Sequence, residues 1–554
     1  MAIASPSTPS FSASFCCKRA EFNPVFRCFS VAFTHRNLPL TRRLVISSRV
    51  HSKPSDAGGS VSPDNGDEFN EYEMPQGFGA AQRRKKGSSV FVMLPVDIVG
   101  VGGQVRKKKI MVHSLRALAV AGVEGVVIEL WWGLVERDQP GVYNWQPYLE
   151  LVEMVEKCGL KVRVVLAFHQ RGSGPEDPNW ISLPPWVLNE IDKNPDLAYS
   201  DRLGRRSTEY ISLGCDTLPV LRGRSPVQAY ADFMRNFRDT FRPLLGEIIM
   251  GVQVGMGPAG ELRYPFCPPE KLKQAWRSGE LGEFHCYDKY ILASLNACAG
   301  EAGMLREWGN GGPIGVSSLI NDPENTEFFR SHDRTWNKPN GKFFLEWYSG
   351  MLLLHGQRIC MDVENIFRGI DINTSAKVAV IHWHYGTQSH PSELTAGYYN
   401  TSTRDGYLPI AQMFSRYRFT MCCAGFEMQD VEENPLNQVS SPGGFLKKLL
   451  WAARICRVPL EGENSTAIWD DKSFQQVLKM RRFYSYGLKR PSFSFNFVRM
   501  EKNMFEQRNW VRFSNFVRKM SDDKLFLANL GFGDDMQLSL MSDDAKFGER
   551  FAAC

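Results

Sequence analysis

Eight short runs rich in apolar and β-branched residues recur between Val90 and Val498, and a stretch with helical spacing separates each from the next. The runs are Val90–Pro95, Gly125–Trp131, Val162–Phe168, Ile248–Val254, Val378–His382, Phe419–Ala424, Val458–Leu460 and Phe493–Val498. Near-continuous apolar runs, bounded by turn signals, suit strands buried on both faces, as in a parallel sheet. The amphipathic stretches are Met111–Ala121, Tyr148–Cys158, Ala229–Phe241, Phe343–Phe367, Leu408–Tyr417, Phe445–Cys456 and Phe474–Phe483. Strand alternating with helix defines the α/β class, and eight strands with crossovers predict a single closed (β/α)₈ barrel. An open doubly wound sheet is the alternative, but no G-x-G-x-x-G follows the first run to support it. Two connections are long, from His169 to Ala229 and from Gly255 to Phe343. Both leave the C-terminal ends of strands, where long excursions build the wall of a site.

The rest of the chain bounds the function. Its 554 residues are 43% hydrophobic, enough for a large core. The net charge of +6 lies largely outside the predicted barrel, in the N-terminal arm and at Arg83, Arg84, Lys85 and Lys86. Nothing resembles a nucleic-acid-binding motif, so no nucleic-acid partner is expected. No apolar run reaches the roughly 20 residues of a membrane span, and no membrane association is expected. None of the 13 cysteines forms a C-x-x-C pair, and no metal or cofactor is expected. Residues 1–53 are rich in Ser, Arg and Phe, with Glu21 the sole acid before Asp56; this is the composition of an organelle transit peptide. Residues 54–87 read as a polar, Gly-rich linker. The predicted folded unit is 88–520, followed by a C-terminal tail, 521–554, of open role.

A barrel carries its chemistry at the C-terminal ends of its strands. There the sequence sets Glu129 with Trp131 and Trp132, His169, Glu261, His382 to Tyr385, Glu427, Glu463 and Arg499. Aromatic faces stack on pyranose rings, and the polar groups bind hydroxyls. Hydrolysis of a glycosidic bond needs two carboxyls, one protonated and one ionised. Glu129, Glu261, Glu427 and Glu463 are the candidates. Glu261 and Glu463 follow the fourth and seventh strands, nearly opposite in an eight-strand ring. That placement suits carboxyls about 6.5–9.5 Å apart, the inverting spacing. Either could instead be the ion-pair partner of a neighbour such as Arg263.

Longer motifs cover these positions: Gly125-Val-Val-Ile-Glu-Leu-Trp-Trp-Gly, Glu209-Tyr-Ile-Ser-Leu-Gly-Cys-Asp, Gly257-Pro-Ala-Gly-Glu-Leu-Arg-Tyr-Pro, Ile381-His-Trp-His-Tyr, Glu393-Leu-Thr-Ala-Gly-Tyr-Tyr-Asn, Arg404-Asp-Gly-Tyr and Gly462-Glu-Asn. Over roughly Val90 to Met520 the chain resembles the plant β-amylases. The resemblance implies a (β/α)₈ barrel with a small lobe built from long βα loops. It implies release of maltose, with inversion, from the non-reducing ends of α-1,4-glucans such as starch. It makes Glu261 the general acid and Glu463 the general base. It places Glu129, His169, Asp177, Lys377, His382, Ala424, Asn464, Ser465 and Arg499 at substrate-contact positions, and it sets Glu427 aside as a residue of the inner loop. It also implies a chloroplast (stromal) setting and association with other starch-degrading enzymes.

Departures cluster around the sugar. Position 129 is Glu where the family usually has Asp, one methylene longer. The segment after His169 reads Gln-Arg-Gly-Ser-Gly-Pro-Glu-Asp, with Pro175 and Pro178 stiffening a lid. Ala424 replaces a Thr and Thr466 a Leu. Two readings follow: an active exo-amylase, or a catalytically weak relative that binds glucan or partner enzymes and regulates starch breakdown.

Overall fold

The computed structural model describes residues 87–522, apart from 173, 266–280, 314–325, 331, 431–439, 487 and 489–491. The transit peptide, nearly all of the linker and nearly all of the C-terminal tail expected from the sequence lie outside the described residues.

Eight strands close into a parallel barrel: β1 (Ser89–Met93), β2 (Gly125–Trp131), β3 (Lys161–Ala167), β6 (Ile249–Val254), β7 (Asn373–Val378), β8 (Thr420–Cys423), β9 (Leu460–Glu463) and β10 (Phe493–Phe497). The ring runs β1-β10-β9-β8-β7-β6-β3-β2, and β10 closes on β1 with Val90 beside Phe495. The remaining pair, β4 (Ala198–Ser200) and β5 (Arg206–Ile211), is an antiparallel hairpin inside the first long excursion. Helices follow the barrel strands around the outside: α1 (Lys108–Val120), α2 (Gln146–Lys157), α3 (Pro226–Thr240), α4 (Pro339–Phe367), α5 (Leu408–Arg416), α6 (Pro442–Ile455), α7 (Asp471–Ser485) and α8 (Gln507–Ser521). The start of α3 is written locally. Ser225 accepts from the Gln228 amide, Gln228 reaches back to the Ser225 amide, and Pro226 stands at the first helical position. This is a capping box with a proline where no hydrogen bond is lost.

The barrel matches the sequence reading, with two shifts that matter for the site. The fifth barrel strand is Asn373–Val378, not Val378–His382, and the seventh is Leu460–Glu463, not Val458–Leu460. In both, polar side chains had hidden the strand. Asn373 donates to Glu461 (2.8 Å) and accepts from the Thr420 hydroxyl (2.6 Å), while Glu461 lies 3.4 Å from Arg163 of β3. Arg163 also donates to Ser494 and Asn496 of β10, each at 2.9 Å, and lies over the Phe91 ring. The barrel interior is thus partly a satisfied polar network, which breaks the apolar signature of a buried strand. The consequence is functional: Lys377 belongs to β7, and Glu463 ends β9 instead of following it.

The lobe is tied to the barrel from α4. His355 sits between the Asp216 carboxylate (2.9 Å) and the Met256 carbonyl (3.0 Å), and Arg358 donates to the same Asp216 (2.9 Å). These contacts fix the start of the loop that carries Glu261.

Candidate active site

A cavity of about 580 Å³ opens at the C-terminal mouth of the barrel. Its walls include Glu129 from β2, Gln253 from β6, Lys377 from β7 and Glu463 from β9. His169, Gln170, Arg171, Gly172 and Asp177 come from the excursion after β3, Glu209 from the hairpin, and Val498 and Arg499 from beyond β10. The volume is that of a small-ligand pocket. Among the described residues no group of three or more His, Cys, Asp or Glu is set to hold a metal ion.

Glu463 is almost wholly buried, and Lys377 Nζ lies 2.9 Å from its Oε2. Asn496 donates to Oε1 at 3.2 Å, and the Cys422 thiol donates as well. Burial alone would push this carboxyl up; the Lys377 ammonium outweighs it and holds Glu463 below the usual carboxylate range. Lys377 shows the converse. Burial pulls its ammonium down, but the Glu463 and Glu261 carboxylates win and raise it above the ordinary lysine value. Glu463 is therefore an ionised carboxylate at neutral pH.

Glu261 lies three strand positions away in the ring, after β6, and is 6% exposed. Its backbone pairs with Lys377 of β7, and the next amide, Leu262, donates to the Lys377 carbonyl (2.9 Å). The turn before it is unusually tight. Ala259 and Gly260 both take positive φ (54° and 75°), and a Cβ on Gly257 would collide with the Glu261 carbonyl. Gly257 is thus required by close approach of the chain to itself. The Glu261 carboxylate accepts from Arg263 Nε at 2.8 Å. The ion pair with Arg263 weighed from the sequence is present. Arg263 nevertheless lines the cavity itself, so the pair is part of the site.

At another part of the cavity wall, Arg499 grips Glu129 (2.9 and 3.4 Å) and the Leu94 carbonyl (3.0 Å). The pocket's enclosure raises Glu129, and Arg499 more than offsets this, leaving it below its ordinary value. Arg171 is drawn to the Glu129 and Asp177 carboxylates and repelled by Arg499. His169 stacks edge-on against Trp131 at 5.2 Å. Burial lowers its imidazole to about 3, so it is neutral and a hydrogen-bonding group, not a cation.

Six of the residues singled out from the sequence thus share the wall: Glu129, His169, Asp177, Lys377, Glu463 and Arg499. Glu261 adjoins it through Gly260 and Arg263. The other four stand back from the cavity lining. His382, lowered to about 4 by burial, bonds Ser440 (2.8 Å) and stacks on Trp383. Ala424 is buried just past β8. Asn464 accepts from the Val498 amide (2.8 Å) and donates to the Thr466 carbonyl (2.9 Å), which pins the segment leading to Arg499. Ser465 offers its amide to Glu427 (2.9 Å). Glu427 also takes the Thr466 amide (2.8 Å) and hydroxyl (3.1 Å), so its carboxylate organises the turn after Glu463. Arg171, Gln253 and Glu209 line the wall but were absent from the sequence-derived site. Glu209 opens one of the motifs quoted above, and that was its only signal.

Buried carboxylates, each beside a cation, in a cavity at the mouth of a closed parallel barrel define an enzyme of the barrel glycoside-hydrolase class. The comparisons with known proteins narrow this. The profile of glycosyl hydrolase family 14 matches residues 91–524. A protein named β-amylase 1, chloroplastic, from Arabidopsis thaliana is 48% identical over 81% of this chain and 78% of its own length. The rice (Oryza sativa subsp. japonica) protein of the same name is 46% identical over 80% and 82%. The crystal structure of the catalytic domain of β-amylase from Paenibacillus polymyxa superposes with a TM-score of 0.63 at 22% identity, covering 78% of this chain and 98% of that one, and shows the shared fold. The chain belongs to glycosyl hydrolase family 14.

Proposed function

We propose that this protein is a β-amylase: it hydrolyses α-1,4-glucosidic bonds from the non-reducing ends of starch-like glucans, releases maltose and inverts the anomeric centre. The observation that carries the reading is the Lys377–Glu463 pair, a buried carboxylate held ionised three strands from Glu261. The relatives' names, β-amylase at 46–48% identity, support the substrate class.

In this mechanism Glu261 protonates the glycosidic oxygen as the bond to the anomeric carbon breaks. Glu463 takes a proton from a water that attacks the opposite face, giving the β-anomer. Neutral His169 and the paired Glu129, Arg499 and Asp177 bind hydroxyls of the terminal sugars. Lys377 holds the base and reaches the ring, and His382, Ala424, Asn464 and Ser465 border the sugar beyond the scissile bond. The folded unit 88–520 is the catalytic domain. Residues 1–53 act as a removable transit peptide, 54–87 as a linker and 521–554 as a tail. The protein works in the chloroplast, in the stroma, on glucan alongside other starch-degrading enzymes; its chloroplast setting is supported by the names of its relatives.

The test is to incubate the full chain with maltopentaose and follow products by proton NMR. β-Maltose appearing first is the expected result. α-Maltose, or a bound substrate that is never cleaved, contradicts the proposal, the latter favouring a glucan-binding regulator.

A further inference from the structure

The turn that presents Glu261 closes two of its hydrogen bonds within itself. The Gly260 amide donates to the Gly257 carbonyl and the Glu261 amide to the Pro258 carbonyl, each at 3.0 Å. The Ala259 amide instead donates across the cavity wall to Glu209 Oε1, at 2.8 Å. Ala259 is also the strained member of the turn. It stands in the left-handed region, at φ 54°, which a residue with a Cβ enters at a cost. An acceptor on its N–H holds it there, and a carboxylate oxygen makes a stronger acceptor than a neutral one.

Glu209 is itself fixed from the other side. It lies in the hairpin strand β5, whose last residues, Tyr210 and Ile211, are buried, with Ile211 paired to Ala198 of β4. Its main-chain carbonyl accepts from the Gln170 amide at 2.9 Å, one residue past His169. The hydroxyl of Thr208 reaches the Gln170 side chain as well, at 3.5 Å. Between the two anchor points sits Gly260, where a Cβ would press on the His169 ring. One residue therefore spans two walls of the cavity. Its main chain ties the segment that bears His169, and its side chain ties the turn that bears Glu261.

We propose that Glu209 is a positioning residue: by holding the Ala259 amide it keeps the left-handed turn in place and so sets where the Glu261 carboxyl stands relative to the sugar-binding segment at His169. This rests on Glu261 being the acid of the proposed hydrolysis. Glu209 takes no part in proton transfer and acts through the turn alone. Without the carboxylate, Ala259 is free to leave its strained conformation and Glu261 moves with it. The main-chain bond to Gln170 needs no side chain, so the sugar-binding side stays where it is. The loss should fall on the step that needs the acid and spare the binding of glucan.

The experiment uses the full chain and the variants E209A, E209Q and E156A, the last at an exposed position as control. Amide hydrogen exchange reads the turn directly. The Ala259 N–H should exchange roughly tenfold faster in E209A, and at the wild-type rate in E156A and in E209Q, whose side-chain oxygen still accepts. Kinetics read the consequence. E209A should lose roughly 10–10²-fold in kcat on starch, with KM nearly unchanged. The leaving group of α-maltosyl fluoride needs no proton, so E209A should hydrolyse that substrate at close to the wild-type rate. E209Q should regain most of the rate on starch. The proposal is overturned by wild-type exchange at Ala259 in E209A, by undiminished turnover of starch, by an equal loss on starch and fluoride, which marks a merely structural role, or by an E209Q as slow as E209A. Should E209A fail to fold, E209D, which draws the carboxylate back by one methylene, takes its place with the same expectations and the same refutations. If exchange responds as expected and no form of the protein, wild type included, turns over either substrate, the hold on the turn stands and the hydrolytic reading fails.

Discussion

The two carboxylate corners of the cavity look alike and differ in the cation each one holds. At Glu463, one carboxylate faces one ammonium, Lys377, at 2.9 Å. At Glu261, the carboxylate faces a guanidinium instead, Arg263, at 2.8 Å. The Lys377 ammonium holds the buried Glu463 carboxyl below the usual carboxylate range. Inverting hydrolysis needs one ionised and one protonated carboxyl, and the proposal gives the first role to Glu463 and the second to Glu261.

The sharpest way to break the comparison is to remove its ends. Glu463→Gln and Glu261→Gln should each lower kcat on starch by roughly 10²–10⁴-fold, the usual worth of a general acid or base, with glucan binding retained. Loss of binding in place of turnover, measured calorimetrically with maltopentaose, would sink the assignment.

Removing the matching charge comes next. Lys377→Met should move the acid limb of kcat/KM upward, because Glu463 loses the ammonium that holds it low. The stability effect has a definite sign. A depressed carboxylate contributes stability above the ordinary carboxylate range and loses it as pH falls through its folded value. The Tm gap between wild type and variant should thus be widest near neutrality and shrink in acid. A gap that widens in acid would show that Lys377 does not hold Glu463.

Away from both corners, effects should be smaller and blind to pH. Glu129→Asp shortens the arm that reaches Arg499 and should change KM severalfold with both limbs of the profile in place. A shifted limb would mean that the Glu129–Arg499 pair belongs to the proton chemistry. Thr466→Ala removes one hydroxyl from Glu427 and should cost about 1 kcal/mol of stability, read from denaturant unfolding. An unchanged midpoint would show that this hydroxyl adds nothing to the turn after Glu463.

Much of this was legible in the sequence because it is periodic or local. Apolar runs such as Gly125–Trp131 mark the barrel strands, and Arg263 stands two residues from Glu261. What was hidden depends on contacts across long separations. Lys377 and Glu463 meet because β7 and β9 bring them together, and the inward polar residues that build those strands mask them as strands. The hairpin strand Arg206–Ile211 is short, half polar and set inside an excursion, so no pattern announces it. Glu209 could not be placed without it, because its partner Ala259 is 50 residues away.

The division of labour between the corners can be read with a substrate that needs no acid. α-Maltosyl fluoride leaves without protonation, so it depends on the base alone. Glu261→Gln should hydrolyse it at close to the wild-type rate while failing on starch, and Glu463→Gln should fail on both. Glu463→Gln active on the fluoride, with Glu261→Gln inactive, would reverse the two roles and contradict the account.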